Sequence, residues 1–249
     1  MKNKYSKLLE QTNVVGVIAC KDDLVCACRI GRFVDASSRL VDIFEVRLDK
    51  IRLSDPSNKS FQQLLNTKKP LIITVRDAGE GGGRKSWTIR DRRNLYKKFL
   101  RYATFIDIEA STVDELMDVV VMARKSGVGV IVSYHDFEET PTVDKLLAQA
   151  DICRRVGGSL LKVAVSVSTD VELNTLQNAM ENMRLYTDNN PNHSYKVASM
   201  VIGGKYAKIS RYLDAINGGP LIYGYLKKVV VKGQPKASGI RNVLAYLRK

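Results

Sequence analysis

Short apolar runs rich in β-branched residues recur along the chain, and stretches with helical spacing lie between them. The runs cover residues 14–20, 43–47, 71–76, 105–109, 129–134, 160–165, 196–200 and 221–225. Each is almost continuously apolar, the pattern of a parallel strand covered on both faces. Residues 90–102 place Leu95, Phe99 and Tyr102 on one helical face. Thr112 is positioned to cap a helix over 113–126, with Glu115 completing a capping box and Gly127 just past the end. Thr142 precedes a periodic stretch with Leu146, Leu147 and Ala150. Thr169 or Asp170 starts a helix holding Leu173, Leu176 and Met180, and residues 238–248 carry Ile240, Val243, Leu244 and Leu247.

Eight such units in 249 residues is the count of a (β/α)8 TIM barrel, expected as a single domain over residues 1–249. An open doubly wound sheet usually carries a Gly-rich loop after its first strand. Here that strand runs into Cys20-Lys21-Asp22-Asp23. No Pro- or Ser-rich linker divides the chain, and the glycines between 79 and 83 read as a loop.

Composition narrows the function classes. Hydrophobic residues make up 45% and charged residues 27%, enough for a sizeable core. No apolar run reaches the roughly 18 residues of a membrane span, and the first thirteen residues lack the apolar stretch of a signal peptide. Cys20, Cys26, Cys28 and Cys153 show neither a disulfide framework nor zinc-ligand spacing, so a cytoplasmic protein with reduced thiols and no metal is expected. The formal net charge of +14 attracts anions. Its Lys and Arg residues are spread along the chain without a basic helix or an aromatic-rich RNA-binding signature, which argues for a basic surface rather than a nucleic-acid partner.

A barrel's chemistry sits at the carboxyl ends of its strands. Those ends carry Glu45 and Arg47, Arg76 with Glu80 following, Asp107 and Glu109, Ser133 and His135, then Lys162, and later Ser210-Arg211 and Gly233-Gln234. Lys162 interrupts an apolar strand. Burial disfavours an ammonium, and a neutral amine attacks carbonyls to give an imine that withdraws electrons. A structural reading of the same residue pairs it with Glu109 or lets it reach the barrel mouth. His135, on the strand before, supplies an acid/base beside that nucleophile. His193 lies in an Asn-Asn-Pro-Asn-His turn and reads as exposed. Glu45 and Arg47, two apart on one strand face, join Arg76 and Arg211 as a set for an anionic, polyhydroxylated ligand.

Taken in order, these residues resemble the type I 3-dehydroquinate dehydratases over essentially the whole chain. The resemblance is carried by Glu45-Val46-Arg47-Leu48-Asp49, by Thr74-Val75-Arg76 through Glu80-Gly81-Gly82, and by Asp107 to Glu109. It continues through Ser133-Tyr134-His135-Asp136-Phe137, Lys162-Val163-Ala164, Ser210-Arg211 and Gly233-Gln234. It implies conversion of 3-dehydroquinate to 3-dehydroshikimate, the third step of the shikimate pathway, by syn elimination of water without cofactor or metal. Lys162 would form a Schiff base with the ring ketone, His135 would move the protons, and Glu80 would orient His135. Arg211 would hold the substrate carboxylate, Glu45, Arg47 and Arg76 the ring hydroxyls, and Gln234 would sit on a closing loop. The resemblance also implies a homodimer.

Three positions depart from the family pattern. A Ser four residues before the closing Gln is Val230 here, the Ser that often ends the first strand corresponds to Cys20, and a Met nine positions from Arg211 counts to Gly203. Cys20 and Val230 therefore join the substrate-contact set. Two other readings stay open at this point: another imine-forming barrel enzyme such as an aldolase, and a basic anion- or nucleic-acid-binding protein on the same scaffold.

Overall fold

The computed structural model describes residues 5–19, 37–51, 62, 64–83, 87–190 and 195–247. Eight parallel strands are present: β1 Asn13–Ile18, β2 Ile43–Arg47, β3 Leu71–Thr74, β4 Phe105–Glu109, β5 Gly129–Asp136, β6 Leu160–Val165, β7 Lys196–Val201 and β8 Leu221–Tyr225. They hydrogen-bond in the order β7-β6-β5-β4-β3-β2-β1-β8, so a single sheet curls round until its first and last strands adjoin in a nearly closed TIM barrel. The helices are α1 Ile89–Phe99, α2 Met117–Lys125, α3 Val143–Arg155, α4 Asp170–Asn189, α5 Ala207–Ile216 and α6 Ala237–Leu247.

The strands alternate in a way their sequences conceal. Outward residues such as Val130, Val132, Leu161, Val163 and Val165 join Leu146, Cys153, Leu176 and Met180 in the layer between strands and helices. Inward residues change character along each strand. Near the amino ends Ile43, Ile72, Phe105, Ile131, Leu160, Ala198 and Leu221 fill the barrel. A 3-10 turn at Ser6–Glu10 closes that end, where Leu9 packs inside and Tyr5 meets Phe105 at 5.5 Å between ring centroids. Toward the carboxyl ends the inward positions become Glu45, Arg47, Thr74, Arg76, Asp107, Glu109, Ser133 and Lys162, all buried. The apolar plug below and the charged layer above share one interior.

The elements follow the sequence pattern, with informative exceptions. Thr142 caps α3 by accepting from Lys145 N, and Thr169 caps α4 in a capping box with Glu172. Thr88 and Asp91 form a capping box at α1, and the predicted end of that helix tightens into a 3-10 turn at Leu100–Tyr102. The capping box expected at Thr112 does not form, and α2 starts at Met117 without a side-chain cap. Thr112 Oγ1 instead donates to Glu109 Oε2 and accepts from Arg92, so the buried charges claimed the hydroxyl. β3 stops at Thr74 because α1 takes over the next backbone groups: Tyr96 Oη accepts from Val75 N at 3.1 Å, and Arg92 Nε donates to Val75 O at 2.9 Å. The predicted end of β1 at Cys20, together with Cys26, Cys28 and His193, lies outside the described residues.

Candidate active site

A cavity of about 290 Å³ opens at the carboxyl ends of the strands. Its wall brings together Glu45, Arg47, Arg76, Glu80, His135, Lys162, Arg211, Val230 and Gln234, nine of the ten residues singled out from sequence. The tenth, Cys20, lies outside the described residues.

The register of β5 against β6 sets the central geometry. Ser133 pairs with Lys162, and His135 with Ala164. His135 and Lys162 therefore point into the barrel from adjacent strands, one inward step apart. Lys162 is 4% exposed, which excludes the reading of a lysine reaching into solvent. Its ion-pair partner is Asp107, not Glu109. Nζ also lies 5.1 Å from the centroid of the Tyr223 ring.

Beneath Lys162 runs a chain of buried charges. Arg76 donates to Asp107 Oδ1 at 2.9 Å and to Glu109 Oε1 at 3.0 Å, and Ser133 Oγ donates to Asp107 Oδ1 at 2.7 Å. Arg92, reaching in from α1, pairs with Glu109 Oε2 and with Asp77. Burial alone would raise the Asp107 carboxyl, but Arg76 and Lys162 hold it down at about 2. Asp107 is thus a fixed anion under the amine. The sequence named the Asp-x-Glu motif without giving Asp107 this task. Its signal was the period of two, which puts both acids on the inner face.

His135 and Glu80 form a second unit. His135 Nδ1 lies 2.8 Å from Glu80 Oε2, and Ser111 Oγ donates to Glu80 Oε1 at 2.6 Å. Glu80 reaches this place from a tight loop. Gly81 there adopts φ +82°, and a Cβ on Gly82 would stand 2.3 Å from the Arg76 carbonyl oxygen. Phe137 stacks on the His135 ring at 6.3 Å between centroids. Burial, with Ser111 opposing and Glu109 assisting, lifts the Glu80 carboxyl to about 7. Burial and the cations Arg76, Lys162 and Arg47 push His135 well below the ordinary imidazole range. A neutral histidine beside a buried amine can take and return a proton at neutral pH.

The remaining residues divide by how much bonding capacity they keep. Arg47 is held by Asp49 through Nε at 2.9 Å and Nη2 at 2.8 Å. Both amino groups of Arg76 are engaged by acids. Glu45 accepts from Thr74 Oγ1 at 2.8 Å through one oxygen. Among the described residues Arg211, 3% exposed, donates only to the backbone carbonyls of Val201 and Ala207, and its Nε is unpartnered. Among the described residues it has no carboxylate partner, and burial draws it down to about 10. Such a guanidinium is suited to receive a carboxylate. Gln234 presents an Oε1 without a partner among the described residues. Val230 offers only carbon to the cavity. Gly203 is not on the cavity wall but in a turn at φ +69°, and the methionine on that wall is Met200, three residues earlier. No group of three metal-ligating side chains occurs among the described residues.

Comparison with known proteins agrees with this geometry. The family model for type I 3-dehydroquinase matches residues 30–249. The 3-dehydroquinate dehydratase of Thermococcus gammatolerans is 32% identical over 211 residues, which span 83% of this chain and 88% of the relative. The catabolic 3-dehydroquinate dehydratase of Acinetobacter baylyi is 27% identical over 219 residues, 85% and 78% of the two chains. The crystal structure of 3-dehydroquinate dehydratase from Geobacillus kaustophilus superposes with a TM-score of 0.81 at 22% identity, covering 96% of this chain and 91% of that one. The type I enzyme from Clostridium difficile, solved with covalently modified comenic acid, gives 0.79 at 26% identity, covering 96% and 92%. The aldolase and binding-protein readings thereby give way, and the chain belongs to the type I 3-dehydroquinase family.

Proposed function

We propose that this 3-dehydroquinate dehydratase works through an imine on Lys162, with His135 as the proton carrier. The observation that carries the reading is a buried amine one inward step along adjacent strands from a neutral histidine, inside a cation-rich cavity. The covalent ligand of the Clostridium difficile relative is in keeping with a nucleophile in that enzyme's site.

The steps follow from the groups available. Lys162 attacks the ring ketone, and the carbinolamine loses water to give an iminium. The iminium acidifies the adjacent carbon. His135 removes a proton there, and the electron pair moves into an enamine. The enamine then expels the neighbouring hydroxyl, which leaves as water with the proton His135 carried. Because one histidine serves both transfers, the elimination is syn. Water hydrolyses the product iminium, releasing 3-dehydroshikimate and free Lys162. The imine is the electron sink, so this sequence requires no metal and no cofactor.

Arg211 takes the substrate carboxylate. Glu45 and Arg47 take ring hydroxyls, and Gln234 closes over the ligand from the loop after β8. Arg76 contributes chiefly through charge, because its guanidinium is already engaged. Val230 contributes packing. This reaction is the third step of the shikimate pathway, in a cytoplasmic homodimer built from one barrel domain over residues 1–249 that needs no nucleic acid and no membrane.

The experiment is reductive trapping. Borohydride added with 3-dehydroquinate should inactivate the enzyme and leave one reduced adduct on Lys162 by peptide mass. Lys162→Ala should lose both the adduct and the rise in enone absorbance. Near-normal turnover by that variant overturns the imine reading.

A further inference from the structure

Beyond the residues already given roles, we infer that the Tyr223 hydroxyl is a substrate-contact group, hydrogen-bonding a ring oxygen close to the carbon that Lys162 attacks. The inference rests on the reading of the Lys162 cavity as the site of dehydration.

Tyr223 is inward-facing on β8, paired in register with Val15 of β1. The residue is 4% exposed, its ring lies against Lys162, and its hydroxyl has no hydrogen-bonding partner among the described residues. A buried phenol normally finds a partner, and one that does not is costly to keep. Phenylalanine would fill the same space without that cost, so packing alone does not account for the oxygen. Unpartnered side-chain atoms also occur on Gln177, Arg211 and Gln234, and the last two line the same cavity as Tyr223. Arg211 Nε offers a donor, Gln234 Oε1 an acceptor, and Tyr223 a hydroxyl. Three unsatisfied polar groups converging on one concave space describe the complement of a polar ligand.

The phenol faces the right chemistry. Burial, with Glu45 and Asp107 nearby, pushes its ionisation well above the ordinary phenol range, so it stays protonated and donates. No other residue on the cavity wall carries a hydroxyl among those described, and the loop position Val230 is apolar. A substrate rich in hydroxyl and carbonyl oxygens would leave one of them unmatched if this donor were removed.

The test is Tyr223→Phe. The proposal expects kcat/KM for 3-dehydroquinate to fall about ten-fold, the usual scale for one buried neutral hydrogen bond. It also expects the thermal midpoint of the unliganded variant to stay level or rise, because none of the described residues bonds to the hydroxyl. Equal kcat/KM in variant and wild type overturns the inference. So does a lower unliganded midpoint, which would make the hydroxyl part of the fold. Wild-type enzyme inactive on 3-dehydroquinate overturns the dehydration reading and this one with it, whereas an active wild type beside an unaffected variant overturns this one alone.

Discussion

His135 Nδ1 lies 2.8 Å from Glu80 Oε2, and the environment the two groups share raises the proton affinity of the carboxyl while lowering that of the imidazole. Burial and three neighbouring cations make the imidazole a weaker base than usual, while burial makes the carboxyl a weaker acid. Within the pair, then, the carboxyl rather than the imidazole is the group that takes up a proton as pH falls through about 7, and His135 stays neutral.

The pair sets the pH dependence of turnover. Above about 7 the Glu80 carboxylate accepts the Nδ1 hydrogen of neutral His135, leaving the Nε2 lone pair as base. Below it Glu80 carries a proton and donates to Nδ1, the ring hydrogen moves to Nε2, and the base is lost. We expect kcat/KM to fall about ten-fold per pH unit on the acid side. Glu80→Gln should move that limb to lower pH, since Gln accepts from Nδ1 throughout. An unshifted limb in that variant would remove Glu80 from the pair.

The same carboxyl leaves a mark on stability. Its folded value of about 7 lies above the ordinary 4.5, so the folded state holds the proton more tightly. That contribution is full below the unfolded value and disappears as pH rises through about 7. The unfolding free energy of Glu80→Gln relative to wild type should therefore climb between pH 4.5 and 8, by up to about 3 kcal/mol. Urea melts at the two ends of the window measure it, and a gap independent of pH contradicts the assignment.

Arg211 is buried without an acidic partner among the described residues. Replacing it by Ala should raise KM for 3-dehydroquinate about 100-fold, the scale of one charge-assisted carboxylate contact, while the empty protein loses little stability. Steady-state kinetics and a thermal melt together check this. A large loss of midpoint with KM unchanged would make the residue structural.

Arg92 is the outermost link of the buried charge chain, and Glu109 depends on it. Arg92→Met leaves a buried carboxylate short of its counter-charge and should cost about 3–5 kcal/mol. The double variant Arg92→Met, Glu109→Gln should recover part of that loss. Denaturant unfolding of the single and double variants decides it, and additivity of the two changes would deny the coupling.

The period and order of elements were legible in the chain because apolar strands alternating with capped helices admit few architectures. The Lys162 and His135 pair was legible because Lys162 interrupts an apolar strand and His135 follows one. Thr112 shows the limit. Its local capping signal was sound, but a buried Glu109 and Arg92 offered its hydroxyl stronger partners from outside the helix. Gly203 shows another, since counting along the chain could not tell a turn residue from the methionine on the cavity wall.

By itself, then, the sequence determined a barrel and a lysine–histidine centre, since local periodicity and residue type carry that information. Tertiary structure alone decided that Lys162 sits on Asp107 rather than Glu109, that Arg76 is already engaged by acids while Arg211 meets only backbone carbonyls, and that the Tyr223 hydroxyl faces the cavity without a partner among the described residues. Which acid answers which base depends on strand register and on side chains meeting across 31 and 55 residues of sequence, and an aromatic in a strand looks like core until the barrel closes around it.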